Sequence, residues 1–290
     1  MTDVRTSTVE IPGGTLLYDV RGDLTDTRHR PLLMVGFPMD ATGFTTLSGF
    51  FRDRTVVTCD PRGIGRSTAT QGDAPPTVRD HAEDLSLLID ALDAGAIDIF
   101  ASSGGAVNSL ALVETHADQV RTLVAHEPPV FTVTSDSENI LRVTADITDS
   151  YRARGFGAAM AKFLRFLMLE GEVPDDYLDQ PDPDPAAFGL PTADDGARND
   201  PMFAGSMLTM PDYEPDLQAL SAASTRIVLG VGEESQNIMP GRAAMGIAES
   251  LGCDPEIFPS GHGGFLGGEM GHHGEPEEFA EVLRLVLDEG

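Results

Sequence analysis

The segment Ile99-Phe100-Ala101-Ser102-Ser103-Gly104-Gly105-Ala106 joins a predicted strand, residues 96–101, to a predicted helix, Gly104–His116. A serine presented on such a sharp strand-to-helix turn needs small residues two positions before and two after it, because the backbones pack closely there. Ala101 and Gly105 occupy these positions around Ser103. The segment therefore predicts that Ser103 is a nucleophile exposed at the end of a strand.

Strand and helix patterns alternate on both sides of this segment. Apolar or alternating runs predict strands at residues 8–11, 15–20, 31–36, 55–59, 96–101, 120–125, 227–231 and 256–258. Helical spacing and start signals predict helices at residues 77–94, 104–116 and 241–251, and a last helix from Glu275-Pro276. Strands that alternate with helices imply right-handed crossovers and a mostly parallel sheet, so the predicted fold class is α/β.

One long segment, from about residue 131 to residue 224, interrupts this alternation. It contains no buried-strand pattern. It does contain a helical stretch at residues 158–169 and an acidic, proline-rich loop at residues 182–185. We therefore expect a helical lid at residues 131–224, inserted between two parts of one core domain at residues 1–130 and 225–290.

Two further motifs follow neighbouring predicted strands: Asp60-Pro61-Arg62-Gly63-Ile64-Gly65-Arg66-Ser67, and Gly36-Phe37-Pro38, a tight turn with a free N–H at Phe37. With the Ser103 turn, these segments resemble the α/β-hydrolase superfamily. In that family the first is the D-x-R-G-x-G-x-S signature, and the second is the H-G-x-P oxyanion turn, here with Val35 in place of histidine. The resemblance implies a twisted, mostly parallel sheet flanked by helices, with the N–H groups of Phe37 and Gly104 as oxyanion donors.

The catalytic base is expected late in the chain, because the family order is serine, acid, histidine. Pro259-Ser260-Gly261-His262-Gly263-Gly264-Phe265 follows the last predicted strand and precedes the last helix, so we predict that His262 is the base. His272 and His273 lie nearby, but their spacing fits no helix-based ligand motif, and we expect neither a metal nor a cofactor.

The position of the acid departs from the commonest family pattern. Most members carry an aspartate after the strand at residues 227–231, but here that turn reads Gly232-Glu233-Glu234-Ser235, with a serine at the expected position. The other known location is the end of the preceding strand, where the sequence reads His126-Glu127-Pro128-Pro129. We favour Glu127 as the acid, with Glu233 and Glu234 as the alternatives.

The Ser-Ser-Gly turn, the His-Glu-x-Pro segment and the missing late aspartate also resemble zearalenone-type lactonases, over short motifs only. The resemblance predicts a hydrolase that cleaves a carboxylic ester or lactone through a Ser-His-Glu triad and an acyl-enzyme. A C–C bond hydrolase, a cofactor-free perhydrolase and a ligand sensor without turnover stay open as alternatives, since each can retain the same serine and histidine.

The predicted lid carries the residues expected to select the substrate. Apolar side chains follow one another along residues 160–168 and again along residues 202–210. Flexible methionines suit an adaptable pocket. We expect Met160, Phe163 and Met207, together with Phe37, to bind a small-to-medium apolar substrate.

The composition limits the partners of the chain. The formal charge is −28, and Lys162 is the only lysine, so nucleic acid and anionic membranes are poor partners. This composition is consistent with adaptation to a salty cytoplasm, or with GC-rich coding that favours arginine over lysine. Met1-Thr2-Asp3-Val4-Arg5 has no signal-peptide character, and the two cysteines allow no disulfide framework. These features predict a cytoplasmic protein that acts on a small molecule, and they leave a homo-oligomer open.

Overall fold

A single mixed sheet forms the centre of the computed structural model, which describes residues 4–26, 28–70 and 74–289. Met1, Thr2 and Asp3, on which the signal-peptide expectation partly depends, lie outside these residues. The strands are β1 Val4–Ile11, β2 Gly14–Arg21, β3 Leu32–Val35, β4 Val56–Cys59, β5 Thr68–Ala69, β6 Ile97–Ser102, β7 Val120–His126, β8 Arg226–Gly232 and β9 Glu256–Phe258.

The strand order is β1-β2-β4-β3-β6-β7-β8-β9, and β5 pairs with β2. The first two strands form an antiparallel hairpin, and β2 is also antiparallel to β4 and β5. All pairs from β4-β3 to β8-β9 are parallel. The predicted α/β-hydrolase fold, with a mostly parallel sheet flanked by helices, is confirmed.

Helices connect most of the strands, as the alternation of patterns predicts. They are α1 Thr45–Ser48, α2 Val78–Leu92, α3 Gly104–His116, α4 Ser137–Arg154, α5 Phe156–Leu167, α6 Met207–Thr209, α7 Leu217–Ala222, α8 Met239–Leu251 and α9 Pro276–Asp288. Helix α2 begins where the sequence predicts: the Thr77 hydroxyl accepts the Asp80 N–H, and the Asp80 carboxylate accepts the Thr77 N–H. No helix in the described part of the chain is long and apolar enough to cross a membrane.

The central strands are buried on both faces, because helices cover both sides of the sheet. Alternate residues of one strand point to opposite faces. Leu33 therefore belongs to the core cluster that includes side chains of α2, α3 and α8, whereas Leu32 and Met34 belong to the one that includes side chains of α1 and α9. This double coverage explains the continuous apolar runs that predict these strands.

The segment between β7 and β8 has an apolar core of its own. Helices α4 and α5 pack together, and Ile140, Ile147 and Phe166 are buried between them and the following loops. The described residues from 131 to 224 contain no strand. Helix α7 lies within these bounds but packs on α3, with Leu220 in the main core. The division of the chain into a core and a lid at residues 131–224 stays our proposal.

Candidate active site

The candidate catalytic residues lie at one edge of the sheet. Because parallel strands with right-handed crossovers bring their carboxyl ends to the same edge, the loops after β3, β6, β7 and β9 meet there. These loops carry Phe37, Ser103, Glu127 and His262, respectively. Residues far apart in the sequence are therefore neighbours around one cleft.

Ser103 occupies a strained backbone position between β6 and α3. Its φ of 55° and ψ of −129° are rare for a residue with a side chain, and its N–H donates to the His126 carbonyl at 3.0 Å. Its hydroxyl caps nothing at the start of α3 and has no hydrogen-bond partner in the described part of the chain. The side chain lines the cleft, as the prediction for a nucleophile requires.

Two glycines after Ser103 let the first turn of α3 lie against the loop that follows β3. A Cβ at Gly104 would come within 2.8 Å of the Phe37 carbonyl oxygen, and a Cβ at Gly105 within 2.7 Å of the Val35 carbonyl oxygen. This close approach brings the N–H groups of Phe37 and Gly104 near the nucleophile. Within the described residues neither N–H donates a backbone hydrogen bond, so both can hold an oxyanion.

Glu127 directly follows β7, is completely buried, and contacts His262 through its side chain. Its carboxylate Oε2 lies 2.5 Å from His262 Nδ1, and Oε1 accepts the Gly232 N–H at 2.8 Å. Burial alone raises the pKa of Glu127, but the hydrogen bonds from His262 and Gly232 and the neighbouring imidazoles outweigh it and lower the pKa to about 2. The backbone of Glu127 has a positive φ of 48°, a conformation that is rare for a residue with a side chain. The carboxylate is therefore ionised and directed at the imidazole.

The two alternative acids do not reach the imidazole. Glu233 and Glu234 are exposed, and the Glu234 carboxylate lies 3.5 Å from the Ser260 hydroxyl. Ser235, at the position where most family members carry an aspartate, is buried. Among the described residues, Glu127 is the only carboxylate bonded to the His262 ring.

Ser103 and His262 lie in the same cleft but are not hydrogen-bonded to each other in the described residues. Both side chains line it, yet no hydrogen bond joins Ser103 Oγ to the His262 ring in the described residues. Nucleophile–base contacts are often long in the absence of substrate and shorten when substrate binds. The Glu127 contact at Nδ1 leaves Nε2 as the nitrogen that can take the Ser103 proton.

The walls of the cleft are almost entirely apolar, and its volume is about 70 Å³. Phe37, Phe163 and Met207 line it, whereas Met160, also expected there, packs in the core of α4 and α5 instead. Three other apolar wall residues belong to the apolar runs expected in the lid: Leu167, Met202 and Met210. The remaining ones were not predicted: Pro38, Pro129, Phe131, Met239 and Pro240. The described residues contain no group of three or more His, Cys, Asp or Glu side chains suited to a metal ion.

His126, the residue before Glu127, is a buried imidazole to which the sequence pattern assigns no role. Neither ring nitrogen has a hydrogen-bond partner among the described residues, and the ring packs against Phe258 and Phe279 and lies 6.2 Å from the His262 ring. Burial lowers the pKa of His126 to about 4. The same cause, with the nearby charge of Arg62, lowers the pKa of His81 to about 4.

These two histidines predict a loss of stability in mild acid. Their ordinary pKa is 6.5, so below that pH the unfolded chain binds protons that the folded chain excludes. The free energy of unfolding should fall as the pH decreases from 6.5 to about 4, by about 3 kcal/mol for each ring. Urea unfolding at several pH values measures this. His126→Phe should flatten the dependence, and an unchanged slope would contradict the assignment.

Comparisons with known proteins agree with this architecture. A model of the alpha/beta hydrolase fold family matches residues 33–203. The "Uncharacterized hydrolase YraK" of Bacillus subtilis (strain 168) is 24% identical over 288 residues, which cover 98% of this chain and 97% of the relative. A thermophilic esterase from Thermogutta terrifontis has a TM-score of 0.68 at 20% identity, with 98% of each chain covered. The enol-lactonase from Burkholderia xenovorans LB400 has a TM-score of 0.65 at 15% identity, with 97% of this chain and 100% of that chain covered.

Proposed function

Because the chain belongs to the alpha/beta hydrolase fold family, we propose that it is a serine hydrolase that cleaves a neutral, apolar carboxylic ester or lactone. The contact between Glu127 Oε2 and His262 Nδ1, beside a cleft that also contains Ser103, is the observation that carries this proposal. A buried carboxylate bonded to a histidine at a nucleophile site is the arrangement that acyl transfer requires. No metal or cofactor takes part in the proposed reaction.

The reaction proceeds in two halves through an acyl-enzyme. His262 Nε2 takes the Ser103 proton while the serine oxygen attacks the substrate carbonyl carbon, and the imidazolium then gives that proton to the leaving alkoxide oxygen. Water, deprotonated by His262, attacks the acyl-enzyme and releases the acid and the free Ser103 hydroxyl. With a lactone, both products are parts of one hydroxy acid.

The protein stabilises the charges that develop in this sequence. The N–H groups of Phe37 and Gly104 hold the oxyanion, and each such donor is typically worth about 3 kcal/mol. The ionised Glu127 keeps the proton on His262 Nδ1 and stabilises the imidazolium. Since Glu127 is buried, this interaction is shielded from solvent screening.

The cleft favours a neutral substrate with an apolar part near the carbonyl. In the described part of the chain, Ser103, Ser206 and His262 are its only side chains with polar atoms, and none carries a fixed charge. Four methionines in its walls can rearrange around different shapes. Two of the structural relatives are named as an esterase and an enol-lactonase, and these names also favour ester and lactone carbonyls.

A panel of chromogenic esters and lactones tests this function. We expect p-nitrophenyl butyrate to be hydrolysed at least about tenfold faster, as kcat/KM, than p-nitrophenyl succinate, because the succinyl carboxylate must leave water for apolar walls. Ser103→Ala provides the blank for spontaneous hydrolysis. Steady turnover after any initial burst distinguishes an enzyme from a slow sensor. Equal rates for the two esters would contradict the neutral-substrate assignment, and no turnover on any ester or lactone would contradict the function itself.

A further inference from the structure

A second cavity adjoins the cleft at Phe37. Its volume is about 280 Å³, and it lies between the loop after β4 and the segment at residues 198–206. Phe37 and Ser206 line both cavities. Since the Phe37 N–H is the proposed oxyanion donor, a substrate carbonyl held there lies close to both cavities.

The sizes of the two cavities suggest that they hold different parts of one substrate. The cleft of about 70 Å³ is smaller than the roughly 150 Å³ of an apolar cavity that holds benzene, whereas the second cavity exceeds this volume. Of these two cavities, the second is therefore the one with room for a ring on the alcohol side of an ester.

His81 is a buried polar side chain in the wall of this second cavity. The side chain comes from the first turn of α2, is 8% exposed and has no hydrogen-bond partner in the described residues. Its ring packs on the Phe37 ring, with centroids 4.6 Å apart. Its ring nitrogens are not fully enclosed, so water that enters the cavity can still hydrogen-bond to them. A ligand that fills the cavity displaces this water and has to supply a group that replaces its hydrogen bonds.

The two arginines that line this cavity already have acidic partners, and the Asp200 carboxylate accepts the backbone N–H groups of Met202 and Phe203. Arg62 binds the Asp84 carboxylate and the Pro12 carbonyl, and Arg198 binds the Asp194 carboxylate. No arginine here is left without a carboxylate to bind an anion, and the formal charge of −28 opposes anions in general. The low pKa of His81 keeps its ring neutral, with one donor and one acceptor nitrogen. A hydroxyl group, which both donates and accepts, matches this ring.

We propose that the second cavity binds the alcohol part of the substrate and that His81 recognises a hydroxyl group on it. This substrate-recognition role rests on the proposed ester or lactone hydrolysis. The ligand is an uncharged aryl or cyclic alcohol moiety that carries a hydroxyl group distant from the scissile bond. His81 is a specificity-determining residue and takes no part in proton transfer.

Two esters that differ by one hydroxyl group test the proposal: 2-phenylethyl butyrate and 2-(4-hydroxyphenyl)ethyl butyrate. Their leaving groups react alike, because the hydroxyl lies far from the ester. Wild type should have a KM about tenfold lower for the hydroxylated ester, and His81→Leu should remove this preference by raising only that KM. His81→Asn, which keeps a donor and an acceptor, should restore part of it.

Other outcomes would overturn the subsite. If wild type does not distinguish the two esters, or if His81→Leu lowers kcat equally on both, His81 only supports the Phe37 turn. Binding of 2-(4-hydroxyphenyl)ethanol to Ser103→Ala, measured by calorimetry, gives a readout without catalysis. Weaker binding in Ser103→Ala/His81→Leu would support the subsite even if no ester were turned over, in which case only the proposed reaction would fail.

Discussion

Ser103→Ala is expected to lower ester turnover by about 10⁶, the loss found when the serine of a catalytic triad is removed. Without this hydroxyl the strand-to-helix turn has no nucleophile to form the acyl-enzyme, and the other hydroxyl of the cleft wall, on Ser206, donates to the Met202 carbonyl instead. The fold should be unaffected, because the Ser103 side chain makes no hydrogen bond in the described residues and does not cap α3. Initial rates with p-nitrophenyl butyrate and a thermal unfolding curve measure both effects.

Ser102 offers a matched control for this experiment. It is the last residue of β6 and is buried, whereas Ser103 lines the cleft. A fluorophosphonate probe should therefore label wild type and Ser102→Ala but not Ser103→Ala. Labelling of Ser102 would shift the nucleophile by one residue and disprove the assignment.

His262 should behave as part of the same unit. His262→Ala alone should lower turnover by several orders of magnitude, and the addition of Ser103→Ala should cost little more, because triad residues act together. Fully additive losses would mean that the two residues contribute independently.

Glu127→Gln has the second largest expected effect, a loss of up to about 10⁴ in kcat, as when the aspartate of a Ser-His-Asp triad becomes asparagine. The amide is nearly the same size, and its oxygen can still accept the Gly232 N–H. Its NH₂ group, however, donates toward His262 Nδ1 and so favours the tautomer whose Nε2 carries a proton. That nitrogen then cannot take the Ser103 proton. The pH dependence of kcat for wild type and variant measures the loss.

Glu233→Gln and Glu234→Gln are the controls that separate the position of Glu127 from the mere loss of a negative charge. Each removes one negative charge near the same turn, but both side chains are exposed and neither bonds to the imidazole. We expect both variants to keep activity within about twofold of wild type, because surface charges contribute little. Retained activity in Glu127→Gln, or a large loss in Glu233→Gln or Glu234→Gln, would contradict the choice of Glu127.

The hydrophobic periodicity of the sequence predicts most of the strands and helices around the central sheet. It is less accurate for the segment between β7 and β8. Helix α4 was not predicted, although Ile140, Val143, Ile147 and Tyr151 recur at helical spacing and are buried. Polar and charged residues separate them, so the apolar signal is weak compared with that of α5. The short strand β5 was also not predicted, because two exposed residues form no pattern.

The sequence by itself determined the fold class and the candidate nucleophile and base, because strand patterns and turn residues depend on local sterics. Ser103 and His262 each follow a strand within a few residues. A local motif marks Ser103, whereas His262 was predicted from the family order and its place between the last strand and the last helix. The sequence could only rank the candidates for the acid, because the choice between Glu127 and the carboxylates of the Gly232 turn depends on which one is buried beside the imidazole. Glu127 and His262 are 135 residues apart, and only tertiary packing joins them. The cleft walls and the environments of His81 and His126 depend on side chains from several elements, so only the tertiary structure determined them.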